Sequence, residues 1–218
     1  MARRRVAVLI SGGGSNLQAL LDATATPGSS AEIVLVISNR PGAFGLARAE
    51  AAGVAALTID HRDFGDRPTF EAALSAALVR AEVDLVCLAG FMRILTAAFV
   101  ERWRDQLLNI HPSLLPSFPG LHTHARALAA GVRAHGCTVH LVRPEVDTGP
   151  ILVQGLVPVL PGDDATSLAA RVLEVEHRCY PLALELLAAG GIRVDGERAT
   201  GDGGRLVLHP LLAAGGSG

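Results

Sequence analysis

Aromatic residues are 4% of the 218, with a single tryptophan and a single tyrosine, so any core must be built from aliphatic side chains. Cysteine is also scarce. Cys87, Cys137 and Cys179 are an odd number, widely spaced and set among apolar neighbours, which suits reduced core thiols better than disulfides or a metal cluster. Charged residues are only 18% and the net charge is −2, which gives no electrostatic case for nucleic-acid binding. No apolar run reaches the roughly 18 residues of a membrane span, and no apolar segment follows Arg3-Arg4-Arg5 as a secretory signal would. The expectation is a cytoplasmic protein without membrane or nucleic-acid partners.

Several signatures are missing as well. The glycine-rich Ser11-Gly12-Gly13-Gly14-Ser15-Asn16 lacks the Gly-Lys-Ser/Thr of a Walker loop and the G-x-G-x-x-G of a dinucleotide fingerprint. There is no G-x-S-x-G, and the cysteines fall within predicted strands or helices, so no protein nucleophile is placed for covalent catalysis. H-E-x-x-H and C-x-x-C are absent, and no metal is expected.

What is present is a 50% hydrophobic chain rich in alanine, leucine and valine, long enough for one α/β domain with a substantial core. Apolar, β-branched runs at 5–10, 32–38, 54–59, 83–89 and 106–110 alternate with helical patterns. Continuous apolar strands separated by helices predict a Rossmann-like, mostly parallel sheet covered on both faces. Asp66 is placed to cap the helix that follows it, with Pro68 tolerated in the first turn. Residues 135–143 alternate apolar with polar and predict a half-exposed strand. The short loop 144–150 then requires strand 151–159 to return antiparallel. From Asp163-Asp164 the pattern Leu168, Val172, Val175, Cys179, Leu182, Leu186 predicts a long amphipathic helix that Pro181 should kink or interrupt. Residues 1–190 read as a single domain. Residues 191–218 read as a glycine-rich tail, with one strand at 205–208 and disordered final residues.

Ligands of such sheets bind off the carboxyl ends of the strands. One end is Gly12 to Asn16, a glycine turn between strand and helix, suited to a single phosphate or to a tight connection alone. A second is Phe91, Met92, Arg93, Ile94 and Leu95, which could form an apolar rim around one arginine or pack inward. The third is Asn109-Ile110-His111, ahead of the stiff segment Pro112-Ser113-Leu114-Leu115-Pro116. The hairpin loop adds Asp147.

Asn109, His111 and Asp147 form a coherent chemical set. An imidazole exchanges protons near neutral pH, a carboxamide N–H₂ stabilises a developing oxyanion, and a carboxylate supports the imidazole and can hold a relaying water. Together they suit attack of an amine on a carbonyl carbon through a tetrahedral intermediate. A metal hydrolase using His122-x-His124 with His111 and Asp147, and a non-catalytic nucleotide-binding module, stay open as alternatives. Glu176 and His177 lie just before Pro181, where polar groups could face a site or only solvent.

The segments SGGGSNLQAL, LAGFMRIL, LLNIHPSLLPSFPGLHTHARAL, HGCTVHLV, EVDTGPIL and EHRCYPLAL, in this order, resemble the phosphoribosylglycinamide formyltransferase family over about residues 6–190. The resemblance implies transfer of a formyl group from the co-substrate 10-formyltetrahydrofolate to the amine of glycinamide ribonucleotide. It implies His111 as proton shuttle, Asn109 as oxyanion stabiliser and Asp147 as the tuning carboxylate. A ribonucleotide site would fall on Gly12, Gly13, Gly14, Ser15, Asn16 and Glu176. A folate site would fall on Arg67, Met92, Arg93, Ile94, Leu95, Asn109, Glu145, Val146 and Asp147. Gly13 stands where some relatives have asparagine, which should loosen the turn without removing its N–H donors. Formyltetrahydrofolate hydrolases carry an extra N-terminal regulatory domain and methionyl-tRNA formyltransferases a C-terminal barrel. Neither is expected here, and the glycine turn favours a nucleotide acceptor over water. A homodimer is compatible with the sequence.

Overall fold

The computed structural model describes residues 2–213, which fall into two compact units. The first runs through Asn109 and includes Val142–Pro144; the second comprises Ile110–Leu141 and the chain from Glu145 onward. The last residues of the chain, expected to be disordered, lie outside the description.

The first unit alternates strand and helix: β1 (Arg4–Ile10), α1 (Ser15–Thr24), β2 (Ala31–Ser38), α2 (Phe44–Ala51), β3 (Ala55–Thr58), α3 (Arg67–Arg80), β4 (Leu85–Leu88), α4 (Ala97–Arg102) and β5 (Leu107–His111). All its strand pairs are parallel, in the order β5-β4-β1-β2-β3. Period-two geometry divides β1 between two cores. Ala7 and Leu9 join Leu35, Ile37, Val86 and Leu88 against Phe70, Leu74 and Leu78 of α3. Val6, Val8 and Ile10 are equally buried on the opposite face, where the α2 backbone at Gly45 lies against Ile10. The edge strand β3 departs from the expected two-sided burial and is mostly exposed. Asp66 caps α3 as expected, accepting from the Thr69 N–H at 2.8 Å.

The second unit holds α5 (Thr123–Ala129), β6 (Ala134–Leu141), β7 (Ile151–Pro158), α6 (Ala165–Ala188), β8 (Ile192–Asp195), β9 (Arg198–Gly201), β10 (Arg205–Leu208) and α7 (Pro210–Ala213). β6 and β7 form the expected antiparallel pair, and β10 adds parallel to β7. Three sequence expectations need correction here. β6 is buried on both faces from His135 to Leu141, because Thr138 and His140 find hydrogen-bond partners inside the unit. α6 runs unbroken through Pro181 for 24 residues. Proline inside a helix costs about 3 kcal/mol, which burial of Leu168, Val172, Val175 and Cys179 before it, and of Tyr180, Ala183 and Leu184 around it, offsets. Beyond Pro181 the fully buried positions are Ala183 and Leu184, while Leu182 and Leu186 are half-buried. Finally, the tail contains a second hairpin, β8 with β9, turning at Gly196, besides the expected strand β10.

Helix α6 lies almost in contact with the β6–β7 backbone. A Cβ at Gly155 would fall 2.3 Å from Val175 Cγ1 and 2.7 Å from Cys179 Sγ, and one at Gly136 would fall 1.7 Å from the Gly155 carbonyl oxygen. Cys137 and Cys179 fill the same layer, and the Cys137 thiol is pushed well up by its hydrogen bond with Cys179 and by burial, as befits inert core thiols. Gly136→Ala is therefore expected to cost more than about 3 kcal/mol, because a backbone carbonyl cannot rotate aside as a side chain can. Urea denaturation of the variant checks this.

Candidate active site

In the first unit, chain connections leave β1 toward β2 on one side and reach β4 and β5 on the other. Such a reversal opens a crevice beyond the carboxyl ends of β1 and β4. The β1–α1 turn and the segment after β4 are both there.

The turn is organised by where its carbonyls go. Gly12 O accepts from the Gly45 N–H (3.0 Å), Gly13 O from Arg48 Nε (2.9 Å) and Gly14 O from the Gln18 N–H (2.9 Å). Among the described residues, nothing accepts from the amides of Gly12, Gly13 or Gly14. With acceptors consumed and donors available at a helix N-terminus, the turn has a geometry that suits an anion. The glycines serve different ends. Gly14 sits at φ 70° with its Cα against α2, where a Cβ would lie 2.9 Å from Gly45 Cα. A Cβ at Gly12 or Gly13 would meet nothing, and neither has positive φ. Their smallness leaves open space on an exposed surface. Ser15 and Asn16 begin α1 and are half-buried.

Ser11 ties this turn to the segment after β4. Its buried hydroxyl donates to Asn39 Oδ1 and accepts from the Met92 N–H at 2.7 Å. At the other end of the segment, the buried Glu71 carboxylate accepts from the Thr96 N–H at 2.7 Å and from its hydroxyl. The rim is only half as large as the sequence suggested. Phe91 and Leu95 pack inward, whereas Met92 (65% exposed) and Ile94 (62%) face outward on either side of Arg93.

β5 carries both Asn109 and His111, two residues apart and hence on one face of the strand. In the second unit, His111 is buried between two acceptors. Its Nε2 lies 3.0 Å from the Phe118 carbonyl, and its Nδ1 lies 3.3 Å from Asp147 Oδ1. Asp147 also accepts from the Gly120 N–H at 2.7 Å and sits at φ 56°, a left-handed conformation uncommon outside glycine.

The segment after His111 is rigid for reasons beyond its prolines. Thr138 Oγ1 donates to the Ser113 carbonyl (2.7 Å) and accepts from the Leu115 N–H (3.0 Å); Gln154 Nε2 donates to Thr138 Oγ1 and to the Leu115 carbonyl, both at 3.0 Å. His140 does the same for the 145–148 loop, its Nδ1 reaching the carbonyls of Leu141 (3.0 Å) and Thr148 (2.9 Å). Sequence reasoning gave Thr138, His140, Gln154, Arg48 and Glu71 no role. The only signal was polar residue types inside otherwise apolar elements.

Of the remaining candidates, Arg67 is exposed at the start of α3, Glu145 and Val146 are exposed in the hairpin loop, and Glu176 is buried on α6. His122 is exposed, while His124 turns its ring edge-on to His135 at 5.3 Å. No three histidine, cysteine or acidic side chains gather as a metal-ligand set among the described residues.

Comparison with known proteins bears on this arrangement. The family model described as formyl transferase matches residues 4–184. Phosphoribosylglycinamide formyltransferase of Escherichia coli (strain K12) is 46% identical over 201 residues, covering 92% of this chain and 95% of that protein. The trifunctional purine biosynthetic protein adenosine-3 of Drosophila melanogaster is 56% identical over 190 residues, 86% of this chain, but the chain spans only 14% of its length. Among solved structures, glycinamide ribonucleotide transformylase 1 from Symbiobacterium toebii superposes with a TM-score of 0.89 at 47% identity, covering 91% of this chain and 94% of that one.

Two buried histidines and a half-buried one make stability depend on pH. Burial holds the imidazole of His135 down at about 4, and it lowers His124 and His140 as well. In the unfolded chain each would titrate near its ordinary value of about 6.5. On acidification the unfolded state therefore takes up protons first. The stability these groups contribute is complete above pH 6.5 and is lost as pH falls toward 4. His135→Phe keeps a ring against Phe118 and removes one such proton. The slope of unfolding free energy between pH 6 and 4.5 should drop by roughly 1.4 kcal/mol per pH unit, as urea titrations across that range would record.

Proposed function

The chain belongs to the formyl transferase family, and on that premise we propose that it moves a formyl group from 10-formyltetrahydrofolate to the amine of glycinamide ribonucleotide, a step of purine biosynthesis. The observation that carries the chemistry is His111, buried with Nε2 3.0 Å from the Phe118 carbonyl and Nδ1 3.3 Å from the Asp147 carboxylate. A group so placed can release a proton toward a leaving nitrogen and be recharged.

In the proposed reaction the neutral amine attacks the formyl carbon and a C–N bond forms. The carbonyl oxygen becomes an oxyanion, which the Asn109 carboxamide stabilises by donating to it. The C–N10 bond then breaks as N10 receives a proton from His111, while the proton lost by the attacking nitrogen returns to the histidine through Asp147 and a relaying water. The net products are the formylated ribonucleotide and tetrahydrofolate, with no net proton change. The phosphate would rest on the amides of Gly12, Gly13, Gly14, Ser15 and Asn16, with Glu176 accepting from the ribose hydroxyls. The pterin and its tail would meet Arg67, the Met92–Arg93–Ile94–Leu95 rim and the loop at Glu145, Val146 and Asp147. Residues 1–190 would serve as one formyltransferase domain, cytoplasmic and acting on small molecules, as a monomer or homodimer. No helix among the described residues is long and apolar enough to cross a membrane.

The test is an assay of 10-formyltetrahydrofolate with and without glycinamide ribonucleotide. Turnover should require the acceptor, and acceptor-independent formate release would instead identify a hydrolase. His111→Ala and Asp147→Ala should each lower kcat by roughly 10²–10⁴, and Asn109→Ala by roughly 10²–10³, with little change in ribonucleotide affinity. Near-normal transfer by the His111 or Asp147 variant would refute the assigned roles.

A further inference from the structure

The β1–α1 turn depends on a residue that sits outside it. Arg48, on α2 and 35 positions away from Gly13 in sequence, donates through Nε to the Gly13 carbonyl at 2.9 Å and through Nη1 to Gln18 Oε1 on α1 at 3.0 Å. Gln18 is itself held, its Nε2 donating to Asp22 Oδ1 at 2.8 Å. The guanidinium carbon lies 4.9 Å from the centroid of the Phe44 ring, and its stem packs on Gly14, where a Cβ would be 3.5 Å from Arg48 Cδ. A planar guanidinium is thus fixed on three sides, with its fork divided between the turn and the first helix.

Gly13 is the member of the turn whose carbonyl has no backbone donor. The Gly12 and Gly14 carbonyls are taken by the amides of Gly45 and Gln18. Without Arg48, the Gly13–Gly14 peptide could rotate to point the Gly13 oxygen outward, where it would repel an anion and withdraw the Gly14 N–H from it. Gly13 has no side chain to prevent that rotation. Lysine at 48 would keep the charge but could not divide a rigid fork between two acceptors.

We propose that Arg48 is a positioning residue for the acceptor's phosphate, acting by orienting the Gly13–Gly14 peptide so that the Gly14 N–H, opposite the held carbonyl, joins the anion cradle. This rests on the assignment of the Gly12–Asn16 turn to that phosphate. Arg48 does not touch the reacting atoms, so its removal should appear in acceptor binding and leave the chemical step alone.

The experiment compares wild type, Arg48→Lys and Arg48→Met by steady-state kinetics and calorimetry, using glycinamide ribonucleotide and its unphosphorylated riboside as acceptors. Arg48→Met should raise KM and Kd for the ribonucleotide roughly tenfold, and Arg48→Lys should fall between it and wild type. In both variants kcat at saturating acceptor and KM for the formyl donor should be unchanged, and riboside affinity should match wild type. Unaltered donor affinity also serves as the control that the variants are folded. Equal losses for ribonucleotide and riboside, or full rescue by lysine, would overturn the orienting role. Equal affinity of the wild-type protein for the two acceptors would overturn the phosphate assignment itself, whatever the variants do.

Discussion

The arrangement of the first unit follows from one topological constraint: the chain leaves β1 toward β2 on one side and returns to β4 on the other. Two connecting segments that would otherwise crowd each other are directed apart, and polar backbone is left facing an opening at the strand ends. Ser11 occupies the edge of that opening and uses both capacities of its hydroxyl, donating to Asn39 and accepting from Met92. One buried oxygen thereby fixes the relative positions of the glycine turn and the apolar rim.

In the second unit the equivalent problem is solved by buried polar side chains. The irregular chain between β5 and α5 carries carbonyls and amides that cannot be left unpaired away from water. Thr138 and Gln154 meet them from β6 and β7, and His140 meets those of the hairpin loop. The imidazole of His111 and the carboxylate of Asp147 are therefore held by neighbours whose own geometry is determined. The proton transfer proposed for this pair would need that kind of support, because misplacement by a fraction of an ångström costs rate.

Local signals made much of this legible in the sequence. Parallel strands are visible as unbroken apolar runs, and the cap at Asp66 rests on a residue only three positions away. Asn109 and His111 stand out by spacing and by the loop that follows. Arg67, in contrast, could be nominated only through family resemblance. What escaped was whatever depended on distant partners. β6 reads as amphipathic because Thr138 and His140 alternate with Cys137, Val139 and Leu141, yet the polar side is buried against groups from other segments. Arg48 looks like one more helix-surface cation until its bond to Gly13 is seen. Pro181 predicts a break from backbone chemistry alone, and packing along the rest of α6 outweighs it.

The short segment after β4 has a consequence for discrimination among ligands. It is anchored by Ser11 at one end and Glu71 at the other, so Met92 and Ile94 are exposed yet attached to a backbone with little freedom left to lose. The ordering cost is met when the chain folds rather than when a ligand arrives. Under the proposed folate assignment such a surface would behave as a mould: it would accept a flat apolar ring at little entropic cost, but it could not reshape itself to reject a similar ring of the same thickness. Selectivity along this edge must then come from the polar groups around a ligand's perimeter, so flat heterocycles that reproduce that perimeter are the natural competitors.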